Sequence, residues 1–215
     1  MPLPVITSLQ DTPDPAALAH RLRLREEEYA ALRATIRERG TRRMTLVVAS
    51  LASWALLALL SNDASWPTPL WTLVPLIVLV AGFEAGFVMH VGVERIGRYL
   101  QVEYERGPRS PGWEHAAMRF GTVPAPAGGR TDPLFSVVFI LGVALNTIPT
   151  IPTVQQLLAG VVMLSDGQWQ HPSVVGVSIV ALAHLAVIVR ILRARAYAAQ
   201  QRALDLAALT QQPRE

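Results

Sequence analysis

Two ionisable residues, Glu84 and His184, stand inside apolar runs and are the strongest candidates for chemistry in this chain. A carboxylate or imidazole at membrane depth is costly enough that it normally faces a bundle interior or a wet cavity. Glu84 sits between Gly82 and Gly86, a small-xxx-small pair, with Ala81 and Ala85 on the adjacent ridge. Such residues let helices approach closely, which matters in lipid because packing supplies the attraction there. Glu84 and His184 therefore read in two ways. They are satisfied buried groups that hold a bundle in register, or they form a protonatable site on a proton or ion path.

Three further groups have side chains suited to chemistry. His90 and Glu94 lie one helical turn apart and read as an interfacial pair, or as a proton-accepting pair, since histidine titrates near neutrality. Trp113, Glu114 and His115 fall in a loop-like stretch and read as solvated rather than catalytic. His90 and His184 differ in expected depth by about 13 Å at the helical rise, too much for both to hold one haem iron. No Glu-x-x-His pair is present for a di-iron bundle, and no phosphate loop, nucleophile elbow or zinc spacing occurs. With no cysteine in the chain, disulfides and thiolate chemistry are excluded. The expectation is a non-enzymatic protein with no cofactor and no metal.

Four apolar runs must position these residues, at about 44–60, 70–92, 134–150 and 173–190. About 20 helical residues span a hydrocarbon core of about 30 Å. The run that starts at Leu70 is the longest and carries Glu84, Gly82 and Gly86. The run at 134–150 is the least regular, because Asn146 and Thr147 are followed by Pro149 and Pro152, and proline kinks or ends a helix. The stretch 149–165 reads as a kinked continuation, a short surface helix or a re-entrant turn. With 51% hydrophobic residues, the expected fold is all-α, a polytopic four-transmembrane-helix antiparallel bundle with cytoplasmic helical extensions.

All 19 basic residues are arginine, and their placement sets the expected orientation. Eight precede the first run, six lie between the second and third, and five lie at or beyond the end of the fourth. By the positive-inside rule this puts both termini and the loop 107–133 in the cytoplasm, across a plasma (inner) membrane. The high pI is thus topogenic, and no nucleic-acid partner is expected. The expected partners are the lipid bilayer and, through cytoplasmic helices, a second copy or another protein.

The cytoplasmic parts are expected at 1–43 and 193–215, flanking a bundle over 44–192. Met1 to Pro15 reads as a loose tail rather than a signal peptide, and Asp14 with Pro15 as a helix start. Leu18, Leu22, Tyr29, Leu32 and Ile36 make an a/d-like stripe over Ala16 to Arg39. Gly40 and Thr41 are expected to break this helix before the first span. The second and fourth spans are expected to continue into the cytoplasm, the second as far as Gly107-Pro108.

Overall fold

A computed structural model describes residues 14–63, 69–105, 112–120, 132–158 and 174–211. Among them the regular structure is entirely helical, and three helices are long and apolar enough to cross a membrane. The helices are α1 (Pro15–Asp63), α2 (Leu73–Glu103), α3 (Trp113–Phe120), α4 (Ser136–Leu145), α5 (Ile151–Leu158) and α6 (Val174–Gln211). Short 3-10 turns, Pro69–Thr72 and Ile148–Thr150, lead into α2 and α5. The N-terminal tail, the turn carrying Trp66, the Gly107-Pro108 stop, most of the loop 107–133 and the run beyond Leu158 lie outside the described residues.

The first span and the amphipathic stretch before it are one rod. Asp14 starts it as expected, its carboxylate accepting the Ala16 N–H at 3.0 Å with Pro15 at the first helical position. The break expected at Gly40 and Thr41 does not occur; α1 runs unbroken to Asp63. An isolated glycine costs only about 1 kcal/mol relative to alanine. The hydroxyls of Thr41 and Thr45 donate back to the Arg37 and Thr41 carbonyls, each at 3.2 Å, so the threonines stay in the helix. After Pro15 no proline interrupts the rod.

Helices α1 and α2 form a long antiparallel hairpin. On α1, Tyr29, Leu32, Ile36, Gly40, Arg43, Val47 and Ser50 recur every three or four residues and are half-buried or buried. Contacts run from Arg25 against the Glu103 carbonyl (2.9 Å) to Ser50 against Gly82. A Cβ on Gly82 would collide with the Ser50 side chain, so this crossing needs glycine. A Cβ on Gly86 would lie 4.0 Å from the Arg43 stem, so both small residues face α1, with the close approach at Gly82. At about 1.5 Å per residue, α1, α2 and α6 measure roughly 73, 46 and 57 Å. All three exceed the hydrocarbon core of about 30 Å.

Helix α4 returns against α2. Phe139 meets Phe83 edge-on at 5.5 Å between ring centroids, Gly142 packs on Leu79, and Asn146 reaches Thr72 at the head of α2. Asp132 caps its start, accepting from the Ser136 hydroxyl (3.1 Å) and the Val137 N–H (2.9 Å). These bonds hold Phe135 in a left-handed conformation at φ 52°. The stretch expected to span over 134–150 is a ten-residue helix followed by a turn and a 3-10 segment. Pro149 and Pro152 lack the N–H groups that would continue α4. The Thr147 and Thr150 hydroxyls bond the Ala144 and Thr147 carbonyls instead, each at 2.6 Å.

Helix α6 runs parallel to α2, with Arg190 beside Glu84 and Tyr197 beside Phe87. The shared core gathers Val47, Leu79, Phe83, Phe139, Val143 and Ile191. Outside it, Val48, Leu56, Ile77, Val88, Leu182 and Leu185 are exposed, the apolar belt that lipid would solvate.

Candidate functional site

Glu84 and His184 do not meet; each has its own partners. His184 belongs to a cluster centred on Asn146, in the turn that ends α4. The Asn146 amide nitrogen lies 2.7 Å from the Thr72 carbonyl and 3.0 Å from His184 Nε2. Its amide oxygen accepts from Trp54 Nε1–H at 3.1 Å, and His184 Nδ1 lies 2.7 Å from the Val180 carbonyl. A carbonyl only accepts, so Nδ1 carries the proton and Nε2 accepts from Asn146. The same logic orients the amide, since both of its N–H groups are used and its oxygen faces the indole donor. Every polar atom of the Asn146 and His184 side chains is thus satisfied, with both residues buried. The cluster ties α1, α4, α6 and the turn before α2 together.

Glu84 lies further along α2, facing α6. Its carboxylate accepts from Arg190 Nη2 at 2.7 Å. The Arg190 guanidinium also stacks over Phe87, 5.0 Å from the ring centroid, a favourable cation–π arrangement. At about 1.5 Å per residue, Glu84 and His184 lie roughly 21 and 16 Å along from Leu70 and Ser173, which would allow one level if the two helices began together. The two helices do not begin at one level: His184 reaches Asn146 beside Thr72, at the head of α2, while Arg190 is level with Glu84. Arg190 had been read only as the basic flank of its span, although it lies within two helical turns of His184.

His90 is buried rather than solvated, with Nδ1 3.3 Å from Arg43 Nη1 of α1. Glu94 pairs with Arg98 one turn along α2, at 3.3 Å. The histidine thus faces the hairpin seam.

A third polar cluster lies outside the apolar runs, and the sequence gives no sign of it. Trp113 is exposed, but Glu114 and His115 are engaged rather than simply solvated. Arg33 of α1 bonds Glu114 at 2.6 Å and Glu105 at 3.5 Å, and its Nε donates to the Tyr29 hydroxyl at 3.1 Å. Glu105, with 6% of its side chain exposed, accepts the Glu114 and His115 backbone N–H groups at 3.0 and 3.1 Å. Its Oε2 also lies 3.1 Å from His115 Nδ1. It therefore caps α3, a favourable place for a carboxylate. Burial pushes the Glu105 carboxyl up, but the two backbone bonds and the His115 ring together hold it below the ordinary carboxylate value.

Further along the hairpin, Tyr99 and Tyr104 donate to the two oxygens of Glu28 at 2.8 and 2.6 Å. The Tyr104 and Tyr99 hydrogen bonds lower the Glu28 carboxyl, while burial and Glu28 push the Tyr99 phenol up to about 12. The spacing of Tyr29, Arg33, Glu105 and Glu114 gives no motif, because the cluster joins three separate elements.

Among the described residues, no three His, Asp or Glu side chains gather as a metal would require. Compared with protein-family models, curated proteins and solved structures, the chain matches none.

Proposed function

We propose that this chain is a non-enzymatic, multi-pass membrane scaffold or accessory subunit that holds a protein partner through its cytoplasmic helices. The observation that carries this reading is the α1–α2 hairpin, which continues far past the length a membrane needs. There it is braced by Arg33, Glu105 and Glu114. A simple anchor requires no such rod. The α1 stripe is covered by α2 from Tyr29 onward, whereas Leu18 and Leu22 overhang the end of α2 and stand 48% and 54% exposed. They are the apolar positions left for a partner helix.

Four crossings with both termini in the cytoplasm of an inner membrane best suit the arginine placement. Because α2 and α6 run parallel, the chain between them must return across the same thickness. Helix α4, antiparallel to α2 from Phe83 to Thr72, is the segment that supports this return.

A photo-reactive residue at Leu22 should give one discrete adduct in native membranes, and Leu18→Glu with Leu22→Glu should abolish it without reducing insertion. No adduct, or adducts indifferent to the double substitution, would refute the reading. The rival reading, a proton or ion path through Glu84 and His184, has less support because the two have separate partners. Purified protein in liposomes loaded with a pH-sensitive dye is expected to pass no flux; a flux lost in Glu84→Gln would favour the rival.

A further inference from the structure

The Glu84–Arg190 pair is not sealed inside the bundle. The Glu84 side chain is 35% exposed and that of Arg190 43%. Glu84 lies on the outward stripe of α2 with Ile77, Ala81 and Val88, which recur at helical spacing and are all exposed. It is roughly 21 Å along the helix from Leu70, within the hydrocarbon if α2 crosses there. Charged groups at such depth are normally covered by protein or face a wet cavity. The pair's surroundings on this stripe are apolar.

What covers the pair must match both signs at once. A helix that brings one charge would leave either the carboxylate or the guanidinium facing a like charge or lipid. A second copy of this chain brings both. Helices α2 and α6 are parallel, and Glu84 and Arg190 lie level. A two-fold axis along the membrane normal therefore keeps both copies at one depth and sets each Glu84 opposite the partner's Arg190. Such isologous contacts are the commonest way that chains self-associate. Ala81 and Ala85, on the ridge beside Glu84, leave room for backbones to approach.

We infer that a second copy docks in the membrane plane on the face made by α2 and α6, closing a ring of four alternating charges. This interface is separate from the cytoplasmic partner surface and does not depend on it.

The chain has no cysteine, so single substitutions report contacts cleanly. In proteoliposomes, oxidation should link A81C or V88C into a dimer many-fold faster than V48C, which lies exposed on α1. Donor and acceptor dyes on V88C should keep their energy transfer as lipid dilutes the protein. Chains carrying E84R and R190E, mixed, should form crossed dimers several-fold above the random share. Linking of A81C and V88C no faster than V48C would overturn the proposal, as would energy transfer that vanishes on dilution. Dimers that show no crossed preference would also overturn it, as would V88C linking in native membranes only to another protein. If a charge-reversed chain fails to insert, the linking and dilution measurements decide alone.

Discussion

Arg190 Nη2 of α6 lies 2.7 Å from Glu84 Oε2 of α2, so the carboxylate within the apolar run of α2 is neutralised by an arginine from the neighbouring parallel helix. Removing one member leaves the other charge unmatched at depth, whereas removing both leaves an apolar contact. Glu84→Leu and Arg190→Leu should therefore each destabilise by about 2.5–3.5 kcal/mol, the order of cost of a charge at depth. The double substitution should cost less than either single change. Unfolding measured in monomer-favouring detergent checks this. Additive losses would mean that the pair is not coupled.

Asn146 offers the second test, because one side chain satisfies Trp54, Thr72 and His184 together. Asn146→Leu keeps the size and leaves all three without that partner. Each buried polar group left unmade costs about 1–3 kcal/mol. The loss should exceed that of Trp54→Phe, which removes one bond, worth about 1 kcal/mol. Nitrogen-15 spectra of His184 should place the proton on Nδ1. A proton on Nε2 in the native protein would contradict the network.

The parts of this fold legible in the sequence are those set by local pattern. The apolar runs, the Asp14–Pro15 start and the small residues around Glu84 each reflect a rule that acts over a turn or two. Gly40 was overread for the same reason, because its local cost of about 1 kcal/mol is small against two long helices packed side by side. Partners across helices were not legible. Arg190 looked like a flanking charge because nothing in its own run tells its register against α2. Asn146 looked like a helix end, and it is one, but its amide acts on three other elements. Glu105 and Arg33 lie far apart in sequence, and only the hairpin brings them to α3.

The brace of Arg33, Glu105 and Glu114 carries a pH dependence whose direction follows from Glu105. Its carboxyl is held below the ordinary value of 4.5, so the folded brace binds the proton more weakly than the unfolded chain does. The stability this contributes is present above the ordinary value and is lost as pH falls through the depressed one. Helix α3 should therefore stay docked at neutral pH and loosen only in acid, below the ordinary carboxylate range. Glu105→Gln keeps the shape but removes the charge that receives the two backbone N–H groups and the His115 ring. It should weaken α3 docking at neutral pH by about 1.5–3 kcal/mol, as expected for hydrogen bonds to a charged group. It should also flatten the acid transition. Hydrogen exchange at the Glu114 and His115 amides, followed with pH in wild type and Glu105→Gln, reads both effects. A transition that persists unchanged in Glu105→Gln would assign it to another group. Protection equal to wild type at neutral pH would mean that the carboxylate does not hold the helix.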